Sequence, residues 1–228
     1  MRYQVQSNFK EIGPKGQEAL SKKIVSIVGV GGLGSVIAEM LTRAGISLRL
    51  VDMGRIELPE LQRQALFKEE HDTKFKAKEI KKELEKINST VKIRTFHEEL
   101  IDRNLFLLDS EVVIDCSGSY ETGLLVAKHC YKKHSLISCR ISGSVGKIFI
   151  ADKGACFGCL GKEMQIGQDN EEGLINPTVH FAAAIIVTEA LKILLKKPHE
   201  KNLIIFDIWK RTLKTKAVKK DRKCEVCK

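Results

Sequence analysis

The order of apolar and polar positions divides the chain into short β-branched runs and longer stretches of helical period. Residues 24–28, IVSIV, read as a buried strand. Glycines follow at 29, 31, 32 and 34, and then Leu33, Ile37, Met40 and Leu41 return at helical spacing through residue 44. Gly45 stands where a helix C′ residue belongs, and 48–51 predicts a second strand with Asp52 at its carboxyl end. Upstream, only a short helix over 16–22 is expected. Downstream, 53–67 reads as irregular with one helical turn at 60–66. A charged amphipathic helix is expected over 74–87, with Ile80, Leu84 and Ile87 inward. The pattern predicts strands at 91–95, 111–115 and 135–138, and helices at 98–108 and 120–132.

After residue 138 the alternation changes. A strand over 144–151 is expected to run antiparallel, and 162–173 is polar and reads as mobile. Pro177 opens a long apolar helix over 178–195, flanked by Ala182, Ala183, Ala184 and Ala190. Its small residues imply deep burial or a subunit interface. Residues 203–207 and 212–217 read as a closing hairpin. The fold class expected is α/β: a Rossmann-like, mostly parallel sheet with an antiparallel C-terminal part. No internal repeat or linker is visible, so 1–228 is read as one domain.

The glycine-rich turn after the first strand brings chemistry into this frame. Gly29, Gly31, Gly32 and Gly34 let the backbone approach a phosphate, and the helix that follows offers unbonded N–H groups to an anion. Asp52, 18 residues after Gly34, is placed to bond ribose hydroxyls. GVGGLG satisfies the dinucleotide fingerprint as well, so the loop alone leaves the nucleotide open.

The seven cysteines are odd in number. Cys156 and Cys159 form one CxxC pair, and Cys224 and Cys227 a second. Two such pairs supply the four thiolates of a closed, tetrahedral, structural Zn²⁺ site. Cys116, Cys130 and Cys139 are left as free thiols, read chiefly as small core residues. His180 reads as a packed or interface histidine.

Net charge is +10, and 6% of residues are aromatic. Most lysines are placed on solvated helix faces, with an acidic partner as the sharper reading. No aromatic-basic motif accompanies the charge, so nucleic acid is not expected as a partner. No run of about 18 apolar residues is apparent and the first residues lack a signal-peptide core, so no membrane span and a cytoplasmic location are expected.

Taken together, Arg2-Tyr3, GPKGQEAL at 13–20, GVGGLGS at 29–35, LVD at 50–52, LQRQALF at 61–67, Lys76, DCSGSYET at 115–122 and the two CxxC pairs resemble one family. It is the ubiquitin-activating-enzyme-like adenylyltransferases, of the ThiF, MoeB and HesA kind. The resemblance covers nearly the whole chain. It implies an ATP- and Mg²⁺-using enzyme that adenylates a carboxylate and releases pyrophosphate, usually as a homodimer. The carboxylate is usually the C-terminus of a ubiquitin-like sulfur carrier protein. Arg63 and Lys76 are implied as the catalytic cations at the triphosphate. Asp52 is implied at the ribose, with Gln64 and Asp115 also in the cofactor site.

The chain departs from that family's pattern at Val5 and Gly54, where an Arg and an acid are usual. It departs again at Glu60, where Asn is usual, and at Gly118, where the Mg²⁺-binding acid is usual. Arg140 is a cation available in place of the one missing at Val5. Asp115 and Glu121 are the acids left near Gly118. These departures imply slow adenylation of ordinary carriers. They keep two alternatives in view: adenylation of a small pyridinol carboxylate, as in [Fe]-hydrogenase cofactor biosynthesis, and a nucleotide-binding scaffold; the glycine loop leaves a third, an NAD-dependent oxidoreductase, against which QRQ and the zinc knuckles argue.

Overall fold

The computed structural model describes every residue except 1, 152–153, 165–172 and 228. Its centre is one eight-stranded sheet. In chain order the strands are β1 (Ile24–Val28), β2 (Ser47–Val51), β3 (Ile93–Phe96), β4 (Val112–Asp115), β5 (Ser135–Ser142), β6 (Val145–Ala151), β7 (Leu203–Asp207) and β8 (Thr212–Lys216). Across the sheet they lie β3-β2-β1-β4-β5-β6-β7-β8. The first five positions pair in parallel and the rest antiparallel.

Helices cover both faces, so the inner strands are apolar on both sides and read as continuous hydrophobic runs. Along β4, Val112 and Ile114 enter one core and Val113 the other. The first core is built by α2 (Gly13–Ser21), α3 (Gly32–Ala44), α4 (Lys76–Ile87) and α7 (Asn176–Leu194). The second is built by α5 (Tyr120–Cys130), α6 (Phe157–Leu160) and the 3₁₀ run Asp102–Leu108. A further short helix, α1 (Gln4–Asn8), precedes α2.

Several elements differ from the sequence expectation. The helix expected over 98–108 is a 3₁₀ run starting at Asp102. Asn104 accepts the Ile101 N–H (2.8 Å) and donates to the Glu99 carbonyl (2.9 Å) and the Glu98 carboxylate (3.1 Å), which folds 98–101 into a loop. Strand β5 runs on to Ser142 because β6 pairs with it from Leu136 to Ser142. Helix α2 begins at Gly13, with Pro14 in its first turn. Helix α7 is long and apolar enough to cross a membrane by length and composition, contrary to the sequence reading; it lies instead against α3 and the sheet with over half of its apolar window buried. Most of the stretch read as mobile, 162–173, lies outside the described residues.

Candidate functional site

The strand order reverses around β1, whose neighbours β2 and β4 send their chains in opposite directions, and ligands in such sheets bind outside the carboxyl ends at this point. Here the ends of β1, β2 and β4 border a cleft of about 580 Å³. The glycine loop is fixed to both neighbours. Gly29 has φ +83°, and a Cβ there would lie 2.7 Å from the Cys116 carbonyl oxygen. A Cβ on Gly34 would lie 1.9 Å from the Gly29 carbonyl oxygen, so the helix start and the loop are in backbone contact that only glycine permits. Asp52 accepts the Val30 N–H through Oδ2 (2.7 Å) and the Gly54 N–H through Oδ1 (2.6 Å), tying the loop to the end of β2. Gly31 is the N-cap of α3 and provides no side-chain cap, so the first-turn N–H groups are left for an anion.

The other wall comes from the 3₁₀ run Leu58–Arg63 and the first turn of α4. Lys76 Nζ is 2.6 Å from Glu60 Oε2, and Arg63 Nη2 is 3.6 Å from Glu60 Oε1. The Arg63 stem lies over Gly32, with Cγ 3.2 Å from where a Cβ would stand. Gln64 is fully buried, and neither its amide oxygen nor its nitrogen has a hydrogen-bond partner. Its Nε2 is 4.0 Å from the Cβ position of Gly31. An orphaned buried amide carries a desolvation cost of about 1–3 kcal/mol, and such a group beside a glycine loop fits a ligand that completes it.

The floor is a buried ion pair. Arg140 Nη1 donates to Asp115 Oδ2 (3.0 Å) and to the Cys139 carbonyl (2.8 Å), and Nη2 donates to the Ser119 carbonyl (2.6 Å). The second carboxylate oxygen of Asp115 accepts the Ser117 N–H (3.1 Å) and hydroxyl (2.6 Å). Ser119 in turn caps α5 by accepting the Thr122 N–H. Loop 116–119 is therefore clamped from below, and Gly118, at φ +76°, has nothing within 4 Å of its Cβ position.

The four cysteines of the two CxxC pairs meet behind α5. All four sulfurs lie within 4.8 Å of one another, with Cys156–Cys224 and Cys159–Cys227 at 3.4 Å and Cys156–Cys159 at 3.8 Å. A tetrahedral ion with metal–sulfur bonds near 2.3 Å sets sulfurs about 3.8 Å apart, so donor set and spacing fit a metal such as zinc. N–H groups of Asp221 and Val226 point at the sulfurs of Cys159 and Cys224. Burial works to raise the Cys224 thiol, but the N–H groups of Val226 and Cys227 and the side chains of Cys156 and Cys227 hold it down to about 7, which favours the thiolate a metal needs.

This geometry fits the outcome of comparison with known proteins. The ThiF family profile matches residues 3–226. The chain belongs to the ThiF family. Sulfur carrier protein ThiS adenylyltransferase of Bacillus subtilis is 35% identical over 219 residues, covering 92% of this chain and 65% of that protein. Sulfur carrier protein adenylyltransferase of Thermus thermophilus is 27% identical over 243 residues (99% and 90%). Molybdopterin-synthase adenylyltransferase of Escherichia coli is 28% identical over 240 residues (100% and 96%). Among solved structures, E. coli MccB with ATP superposes with a TM-score of 0.85 at 20% identity, covering 100% of this chain and 74% of that one. At that identity the likeness concerns the fold.

In this ThiF-family chain, the sequence-predicted Gly29, Gly31, Gly32, Asp52, Arg63 and Lys76 all line the cleft. Gly34 packs beneath the loop and Gln64 behind it. Asp115 is the exception: it is fully buried, with both carboxylate oxygens engaged, and supports the loop from below. Arg140 is engaged in the same clamp. Glu60, noted in the sequence only as a departure, proves central because it bridges the two cations. Its signal was present: an acid three residues before Arg63 on one turn. The family resemblance had already put Lys76 with Arg63; nothing in the sequence announced that Glu60 would pair with Lys76.

Proposed function

We propose that this protein is an ATP-dependent adenylyltransferase that activates a carboxylate, in the site residues Gly29, Gly31, Gly32, Gly34, Asp52, Arg63, Gln64 and Lys76 build. The reading rests on one arrangement above all: two cations, Arg63 and Lys76, lining one cleft with a glycine loop and an uncapped helix N-terminus. A carboxylate oxygen attacks the α-phosphorus, a new P–O bond forms, and the α–β bridge breaks so that pyrophosphate leaves with the bonding pair. Charge builds on the phosphate oxygens, and preorganised N–H groups and cations meet it. Asp52 ties the loop to the end of β2 and turns the remaining lone pairs of its carboxylate to the ribose, and Gln64 supplies an amide to the nucleotide. Asp115 and Arg140 hold loop 116–119 in position and touch no reacting atom. Mg²⁺, when bound, screens the β- and γ-phosphates and supports their departure.

The acceptor we favour is the C-terminal carboxylate of a ubiquitin-like sulfur carrier, the class named by the relatives. The cysteine cluster holds a structural zinc, and its thiolates fit a reducing, cytoplasmic setting. Residues 1–228 form one nucleotide-binding unit. A homodimer pairs through the outer face of α7, where Phe181 and Ile185 stand over a groove of about 570 Å³.

Titration calorimetry with ATP and NAD, followed by ATP–pyrophosphate exchange with carrier and small-acid acceptors, tests the activity. We expect ATP to bind at least tenfold more tightly than NAD, and Lys76→Ala to lose about 10²–10³ in exchange rate. Tighter NAD binding, or ATP binding without exchange for any acceptor, would overturn the reading.

A further inference from the structure

We infer that Glu60 is the carboxylate through which this site takes its divalent cation, an inference that rests on the nucleotide-binding reading above. The reasoning begins with which acids are able to do it. Asp115 is sealed beneath the loop with both oxygens engaged. Both oxygens of Asp52 accept backbone N–H groups that shape the glycine loop. Gly118 brings no side chain to the cleft. Glu121 is turned to the Ser119 hydroxyl. Among the described residues lining the cleft, Glu60 is the one carboxylate held only by side chains.

Those two side chains are the cations the phosphates require, and this makes the placement informative. Lys76 is 2.6 Å and Arg63 3.6 Å from the Glu60 carboxylate, and all three side chains are largely shielded from water. A phosphate oxygen that takes Lys76 at about 2.8 Å comes to rest within roughly 5.5 Å of Glu60 by the sum of the two bonds. Two anions at that distance in a shielded cleft repel one another. Either Glu60 swings away into solvent, or a divalent cation sits between them. Mg²⁺ binds through one or two carboxylates plus substrate phosphates, and octahedral bonds of 2.0–2.1 Å set neighbouring oxygens about 2.9 Å apart. A small rotation of Glu60 meets that requirement, since its backbone is fixed by the Leu58–Arg63 run. Glu60 thus pairs with Lys76 and Arg63 and passes to the metal when the triphosphate takes them.

The two fates of Glu60 give different binding data, independent of catalysis. ATP affinity is measured by calorimetry with excess Mg²⁺ and with EDTA, for wild type, Glu60→Gln and Glu60→Asp. Bound Mn²⁺ is counted in parallel by electron paramagnetic resonance with ATP present. As a metal ligand, Glu60→Gln weakens the metal's contribution roughly 10–100-fold, so the ratio of affinities with and without Mg²⁺ collapses toward one. Metal-free ATP binds more tightly than to wild type, because a competing anion is gone. Glu60→Asp keeps part of the Mg²⁺ effect. If Glu60→Gln tightens ATP binding equally with and without Mg²⁺, or leaves the Mn²⁺ signal intact, Glu60 only swings away and the inference is wrong. If wild type binds no ATP under either condition, the nucleotide reading falls, and this inference with it.

Discussion

At the scale of single residues, the Asp115–Arg140 pair is the most consequential contact outside the cleft walls. Arg140 is almost fully buried and Asp115 completely so, and removing one partner leaves an uncompensated charge. Breaking such a pair costs about 3–5 kcal/mol. Urea unfolding of Arg140→Ala is expected to show a loss of that order, together with weakened ATP binding as loop 116–119 is released from its clamp. Arg140→Lys restores little, because one ammonium cannot reach Asp115 and the Ser119 carbonyl together in the fork geometry. The thiols nearby belong to the same scale. Burial pushes Cys116 and Cys139 well up, and Cys130 up to about 12. We expect iodoacetamide at pH 8 to leave these three unmodified in the native protein, detected by mass spectrometry, and to label them after unfolding; rapid native labelling of Cys116 would point to a reactive role in the cleft instead.

At the scale of elements, the cysteine cluster connects to the cleft. Phe157 lies between Cys156 and Cys159, packs on Tyr120 at 5.6 Å between ring centroids, and carries the Arg140 guanidinium 5.5 Å from its own centroid. The C-terminal tail reaches the same place through Cys224 and Cys227, with Val226 packed against Gly158, the Asp221 N–H on the Cys159 sulfur and the Tyr131 hydroxyl bonded to the Cys227 carbonyl. One zinc per chain is expected by elemental analysis, and Cys224→Ser is expected to lose it. That loss frees the basic tail, so limited trypsin digestion cuts at 219–223 in the variant well before the wild type; a variant that keeps its metal and its resistance would count against the clasp. This element was legible in the sequence because CxxC spacing is local. The glycine loop was legible for the same reason, as a strand, four glycines and a helix start in one run. Long-range pairings were not. That Arg140, 25 residues after Asp115, would close on its carboxylate depends on β5 lying beside β4. The 3₁₀ form of Asp102–Leu108 depends on Asn104 turning back on its own backbone, which competes with helix in a way periodicity does not record.

At the scale of the whole molecule, the unresolved balance is between the two sides of α7. One side carries Val179, Ala182, Ala183, Ile186 and Ala190 into the core. The other leaves Phe181, Ile185 and Thr188 along a groove completed by Leu213 of β8, and Phe181 is anchored edge-on to Phe206 at 4.9 Å. A second groove of about 360 Å³ continues past Thr188 and Lys192 to Phe9 and Ile12. Phe9 and Leu213 are each more than half exposed, an arrangement that costs hydrophobic stabilisation in an isolated chain. A second copy presenting the same surface about a twofold axis would bury these residues on both sides at once. Light scattering at micromolar concentration is therefore expected to give twice the chain mass of 25.6 kDa. Leu213→Asp sets a charge in this groove on a side chain that is 60% exposed, and is expected to yield a folded monomer with an unchanged circular dichroism spectrum. A wild type that runs as a monomer would remove the dimer. A variant that stays dimeric would move the interface elsewhere, toward the exposed edge of β8, whose residues Thr212–Lys216 are all open to solvent.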